Sequence, residues 1–205
     1  YQRRSYVIAL EGGPDVEGTY AGMGASGISL RNAGNLLFLS GGRHRTGGKG
    51  SWETVRSFAA RHFPELPEGY AWANQDCMTL DGLPYVGLFS PHTPDLYVAT
   101  GFGAWGMTNS MAAATLLADL VQGKKSPYAS VYTPSRSMLR PQLLSNLGHT
   151  VSNFLRLTPK RCSHMGCALK WNPAEHSWDC PCHGSRFTAD GSVLDGPAQS
   201  RVDLS

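Results

Sequence analysis

The sequence predicts an α+β protein, a sheet with helices over roughly the first two thirds of its 205 residues and then a small all-β domain. Three observations carry that prediction. Short runs rich in Tyr, Val, Ile and Leu, bounded by Gly and Pro, fill much of the first hundred residues. Two longer stretches carry apolar residues at helical spacing. Residues 162 to 187 hold four of the five cysteines and three of the seven histidines.

"RSYVIAL" (4–10) and "GNLLFLSGG" (34–42) read as strands, the second left through its paired glycines, so the first third is expected to be antiparallel sheet. "SWETVRSFAARHF" (51–63) places Trp52, Val55, Phe58, Ala59 and Phe63 on one helical face, with Ser51 as N-cap and Pro64 as terminator. After a loop holding the lone thiol Cys77, "DGLPYVG" (81–87) and "DLYVAT" (95–100) read as short strands. A helix is expected from Met107 or Thr108 to a stop at Gly123, with Leu116, Leu117, Leu120 and Val121 facing a core. Residues 137–160 read as a weakly amphipathic connecting arm interrupted at Pro141. The expected division is 1–136, the arm, and 161–205.

Composition narrows the function classes. A formal charge of +3 with scattered Lys and Arg gives no nucleic-acid footprint. No apolar run approaches the roughly 20 residues that span a bilayer, and no charged-then-apolar leader opens the chain, so no membrane partner and a cytoplasmic location are expected. Tyr1, in strand-like sequence, suggests the continuation of a longer polypeptide.

The cysteine and histidine spacing is C-x-H, then 15 residues from Met165 to Asp179, then C-x-x-H, offering Cys162, His164, Cys180 and His183 as metal ligands. Two loops each present one thiolate and one imidazole. A mononuclear zinc site accepts that mixture, but the C-x-H bite departs from the usual spacer between finger ligands. A [2Fe–2S] cluster with two Cys on one iron and two His on the other suits two facing hairpins of this spacing.

At these residues the stretch resembles the Rieske iron–sulfur family, with C-x-H-x-G-C followed by C-P-C-H-G-S, and with "GPA" (196–198) where that family has its third loop. The resemblance implies that Cys162 and Cys180 ligate the inner iron, that His164 and His183 ligate the outer one, and that Cys167 and Cys182 form a disulfide clamping the loops. Ser185 is the implied hydrogen-bond donor to the cluster. High-potential members carry a tyrosine two residues after that serine; here the position is Phe187, which implies a lower potential. The strands such domains usually have before the first cluster loop are expected to be missing.

"GMGASG" (22–27) matches the dinucleotide pattern but is followed by strand-like sequence, so it reads as turn glycines. "GFGAWG" (101–106) does sit between a strand and a helix. Residues 1 to about 136 resemble the C-terminal part of the flavin-dependent D-amino-acid oxidase and glycine oxidase superfamily, through "SLR…LLFLSGGRHRTG", "DGLPYVG" and "LYVATGFGAWGMTNSMAAATLLADLVQGK". The resemblance implies FAD, contacted through Gly103, Trp105, Gly106, Met107 and Thr108, where a helix N-terminus would stabilise negative charge on the reduced ring. Arg31 and Arg43, with His44 beside them, flank the implied substrate sheet, and a guanidinium there could anchor a substrate carboxylate. No catalytic acid or base is named.

The expected function is an FAD-dependent oxidoreductase that oxidises an amine or amino-acid-like substrate and passes electrons singly through [2Fe–2S] to an acceptor that the sequence does not name. The alternatives are a non-catalytic Rieske electron-transfer module docked by a remnant of a flavin domain, and a structural zinc protein.

Overall fold

The computed structural model describes residues 1–24 and 27–204. Strands β1 (Gln2–Glu11), β2 (Thr19–Tyr20), β3 (Ser29–Ala33) and β4 (Leu36–Arg45), with β5 (Glu68–Cys77) beyond helix α1 (Glu53–His62), form a five-stranded sheet in the order β2-β3-β4-β1-β5. β1 and β4 run antiparallel, with Ile8 opposite Leu39 and Leu10 opposite Leu37. Those four side chains, with Tyr6, Val55 and Ala59, are a buried core between this face and α1. Burying each large apolar side chain stabilises the fold by roughly 1.5–3 kcal/mol. The helical face read from the sequence is the one that packs, with Trp52, Phe58 and Phe63 at its margin. Ser51 Oγ accepts a hydrogen bond from the Glu53 N–H at 3.0 Å, although the residue in the N-cap position is Trp52.

Two departures in this part have physical causes. The paired glycines do not end β4; they lie where its register with β1 shifts between Arg4 and Tyr6, and Gly42 takes φ +65°, a conformation that glycine adopts without Cβ strain. Cys77 closes a strand instead of lying in a loop. Most of β5 is solvent-exposed at the sheet edge, so it carries no apolar alternation for a pattern reading to find. The glycine run at 22–27 lies between β2 and β3, which pair antiparallel, and of that run Ala25 and Ser26 lie outside the described residues.

β6 (Tyr85–Leu88) and β7 (Tyr97–Thr100) form an antiparallel hairpin, followed by α2 (Gly106–Val121), the short α3 (Ala129–Tyr132) and α4 (Pro141–Phe154). Val86, Ala113 and Leu116 are the buried centre, with Leu117 and Leu120 against it. Val121, expected to face a core, is 67% exposed at the helix end. Pro141 opens α4 instead of interrupting a helix, because in the first turn its missing N–H would have no intrahelical partner anyway. Arg136 braces this region. Its guanidinium holds the Asp81 carboxylate by two hydrogen bonds of 2.7 and 2.8 Å, donates to the carbonyls of Leu83 and Pro84, and stacks 3.8 Å over Tyr85.

The last strands, β8 (Lys170–Asn172), β9 (Ser177–Asp179), β10 (Arg186–Phe187) and β11 (Val193–Asp195), make a four-stranded sheet in the order β11-β10-β9-β8. Among the described residues no strand lies between α4 and Cys162, as expected, and Arg161 makes a single bridge with Ala168.

The packing does not follow chain order. Gln2–Gln75 and Asn153–Ser205 are one compact unit, and Tyr1 with Asp76–Ser152 is another. Within the first, the large sheet and the small one are joined by buried charge. Arg4 on β1 is 2% exposed and binds the Glu175 carboxylate through Nε, at 2.7 Å, and Nη2. Arg186 on β10 donates to Glu175, Asp179, Ser177 and Asp195. Asn172 Nδ2 donates to both Glu175 and Asp179, and the Trp52 indole N–H reaches the Ala174 carbonyl at 2.9 Å.

Removing one member of such a network strands the others. Arg4→Met is expected to cost roughly 3–5 kcal/mol, read from urea unfolding, because Glu175 loses one of its two buried cations; a cost below about 1 kcal/mol would contradict this account. In the other unit, Arg136 holds Asp81 down to about 2, from 3.8, chiefly by its hydrogen bonds. The depressed pKa means that the bridge stabilises above the unfolded value and is lost as pH falls through about 2. Asp81→Asn is therefore expected to flatten the fall of melting temperature between pH 5 and pH 2, and an unchanged profile would refute the assignment.

Candidate metal centre and flavin turn

Three loops of the small domain converge. The first, from Cys162 to Cys167, is a tight turn in which the Gly166 N–H donates to the Cys162 carbonyl at 2.8 Å and the Cys162 N–H to the Cys167 carbonyl at 2.9 Å. In the second, the Gly184 N–H donates to the Cys180 carbonyl at 3.0 Å and the Cys180 N–H to the Ser185 carbonyl at 2.8 Å. Each turn thus folds a cysteine and a histidine toward a common point. From the third loop, the Ala198 N–H reaches Ser185 Oγ at 3.1 Å.

The structure brings together the residues singled out by spacing. Cys162 and Cys180 are 3% and 1% exposed, and neither is in a disulfide. The neighbouring Cys180 thiol, with the backbone at His164 and the Ser185 hydroxyl, holds Cys162 down to about 5, while the neighbouring Cys162 and burial push Cys180 up. The His164 and His183 rings meet edge to face with centroids 5.1 Å apart. His183 Nδ1 is buried without a hydrogen-bond partner, and burial followed by the neighbouring His164 lowers its pKa, favouring the neutral imidazole that ligates metal. Cys167 and Cys182 are joined as a disulfide, one from each loop, with Cα atoms 6.7 Å apart.

A [2Fe–2S] group fits this donor set. Two buried cysteines, one of them held toward its thiolate, suit cationic charge, and a buried imidazole nitrogen without a hydrogen-bond partner suits a Lewis acid. Phe187 is fully buried in the same core as the four loop cysteines. Residues that no spacing pattern flagged also belong here. Gln75 Nε2 donates to the Gly184 carbonyl at 2.9 Å, and the Arg45 Nε–H points at the Pro181 carbonyl at 3.5 Å. A polar side chain on an edge strand carries no sequence signal for such a role.

In the other unit, the turn from Gly101 to Trp105 leads from β7 into α2. Gly101, Gly103 and Ala104 all have positive φ, of 76°, 57° and 72°. No side chain caps the helix, so the first-turn N–H groups at Gly106, Met107 and Thr108 end in a bare positive pole, and a Cβ at Gly106 would meet nothing within 4 Å. That open, uncapped end is compatible with a flavin ring. Arg31, on β3, is exposed and stacks 4.7 Å over Phe38, while Arg43 and His44 are half-buried on β4. His44 Nδ1 lies 3.1 Å from the Gly42 carbonyl. Among the described residues no helix is long and apolar enough to cross a membrane.

Comparison with known proteins agrees with both halves. The family model for FAD dependent oxidoreductases matches residues 1–120, and that for the Rieske [2Fe-2S] domain matches residues 147–204. YhfW of Bacillus subtilis (strain 168), named as a Rieske 2Fe-2S iron-sulfur protein, is 35% identical over a 251-residue alignment covering 97% of this chain and 49% of that protein. The chain thus spans about half the length of that relative. The cytochrome b6-f complex iron-sulfur subunit 3 of Nostoc sp. (strain PCC 7120 / SAG 25.82 / UTEX 2576) is 57% identical over 37 residues, covering 18% of this chain and 21% of the subunit. Glycine oxidase from Geobacillus kaustophilus shares the fold, at a TM-score of 0.53 and 22% identity, over 67% of this chain and 39% of that one. With a family model covering more than half of its length and a second covering its cluster loops, the chain belongs to the FAD dependent oxidoreductase family and carries a C-terminal Rieske [2Fe-2S] domain.

Proposed function

We propose that the protein of which this chain is part oxidises an amine or amino-acid-like substrate at flavin and delivers the electrons one at a time through the cluster. The two family matches support redox electron transfer, and the fold shared with glycine oxidase supports the substrate class. The observation that carries the reading is that the flavin-family sheet and the cluster loops form one compact unit, stitched by buried ion pairs. When bound, flavin accepts two electrons and the cluster carries one, which lets a two-electron oxidation feed a one-electron acceptor.

Each side chain has a separate task. Cys162 and Cys180 would hold one iron, and His164 and His183 the other. The Cys167–Cys182 bridge keeps the two loops facing each other. The buried Ser185 hydroxyl would donate to the cluster, stabilising the more negative reduced state. Gly103, Trp105, Gly106, Met107 and Thr108 present the α2 N-terminus to the flavin ring. Arg31 or Arg43 pairs with a substrate carboxylate, the former stiffened by its stacking on Phe38.

Dithionite-reduced protein is expected to show a rhombic EPR signal of low average g, with about two irons per chain. About one zinc and no signal would refute the cluster. Added glycine or another small amine is expected to bleach the flavin of the full-length protein under anaerobic conditions, and a flavin unresponsive to every amine tested would defeat the substrate assignment. Phe187→Tyr supplies a donor in the buried core and is expected to raise the potential in protein-film voltammetry; a potential unchanged or lowered counts against the role given to this position.

A further inference from the structure

The second cluster loop does not stand alone. Its Pro181 and Gly184 lie against the flavin-family sheet, on residues from the ends of three strands. Gly184 takes φ +88°, and a Cβ there would stand 2.2 Å from Gln2 Cγ and 3.2 Å from Gln75 Nε2. A Cβ on Gly47 would stand 2.7 Å from Pro181 Cβ. Backbone and side chain therefore meet here at a distance that only glycine allows.

Hydrogen bonds run inward from this contact. Thr46, 1% exposed, donates its hydroxyl to Gln75 Oε1 at 2.9 Å, and its own N–H to the Gln2 carbonyl at 3.0 Å. Gln75, so oriented, donates Nε2–H to the Gly184 carbonyl at 2.9 Å. That carbonyl belongs to the peptide linking Gly184 to Ser185, so its orientation sets where the Ser185 side chain starts. Ser185 Oγ, fully buried, accepts from the Ala198 N–H, and the Ser185 carbonyl accepts from the N–H of Cys180 at 2.8 Å.

We propose that Gln75 is a positioning residue for the cluster. Through the Gly184–Ser185 peptide it fixes the buried Ser185 hydroxyl within the second cluster loop, so that a side chain of the flavin-family sheet sets the reduction potential of the Rieske centre. The proposal rests on the cluster reading given above. Its physical basis is that a hydrogen bond to sulfur stabilises the reduced state in proportion to its geometry, and that a glycine-flanked peptide keeps its plane only when its carbonyl is held. Thr46 acts one step further out, by holding the Gln75 carboxamide in the orientation that aims its N–H groups at Gly184.

The test is voltammetry and EPR on the full-length protein carrying neutral substitutions. Gln75→Leu is expected to lower the potential and broaden the EPR signal, with iron content unchanged. Thr46→Val, which keeps shape and loses the hydroxyl, is expected to shift the potential in the same direction by less. In a Ser185→Ala background Gln75→Leu is expected to produce no further shift, because the hydroxyl it positions is gone. A Gln75→Leu potential equal to the parent's overturns the proposal, and so does an equal drop with and without Ser185, which would mark general loosening or solvent entry. Should Gln75→Leu lose its iron, the Thr46→Val pair with and without Ser185 reads the same coupling, and no shift there overturns it. A parent protein without iron or EPR signal overturns the cluster reading and this proposal together, whereas a normal parent signal with unshifted variants overturns this proposal alone.

Discussion

Two arginines and two carboxylates sit in a nearly dry seam between the sheets of one compact unit, and the order around the cluster loops depends on how they satisfy one another. Arg4 and Arg186 both bind Glu175, Arg186 also binds Asp179, and Asp195 completes the set from the rim, where it is 44% exposed. Charge buried this deeply is tolerated only when each lone pair and proton has a partner. Ser177 and Asn172 supply the missing ones by donating to Asp179. Asp179 immediately precedes Cys180, so the network reaches within one residue of the second loop. A change in the seam is therefore transmitted to the loop by the shortest covalent path available.

This seam reverses the order of dependence that chain order suggests. Along the chain, the flavin-family part comes first and the small β domain last, with an arm between. In space, the first strands and the last loops share a unit, while the hairpin, α2 and most of α4 belong to the other. The small domain has a short sheet of two- and three-residue strands and few large apolar side chains of its own. A domain that small buries too little surface to hold two loops at a fixed separation by apolar packing alone. The disulfide between the loops and the ion pairs to β1 supply the remaining constraint.

The two halves differ in how they hold charge. At the cluster loops the chain supplies thiols, of which Cys162 is held down to about 5 by its neighbours, an environment suited to cationic iron. At the start of α2 it supplies a positive pole made of backbone alone, suited to a ring that becomes anionic when reduced. Side chains make the first environment and main chain the second. That difference governs how visible each is to inspection of the sequence.

The cluster loops were legible from sequence because metal ligation demands particular residue types at short spacing: Cys162, His164, Cys180 and His183 announce themselves, and the geometry assembles them with the Cys167–Cys182 bridge between. The core face of α1 and the hairpin were legible through period and turn residues. Strand β5 was not, because an exposed edge strand has no apolar alternation, and Pro141 misled because a proline stops one helix as readily as it starts another. The sequence by itself determined which residues offer metal-ligand chemistry at short spacing and which segment turns into a helix beside a glycine run, since both are local chemistry. Only the tertiary structure decided that Arg4 would meet Glu175 across 171 residues of chain, and that Gln75 would hold the Gly184 carbonyl across 109. Those contacts are polar, single and distant, and no periodicity in a chain encodes which charge will close on which.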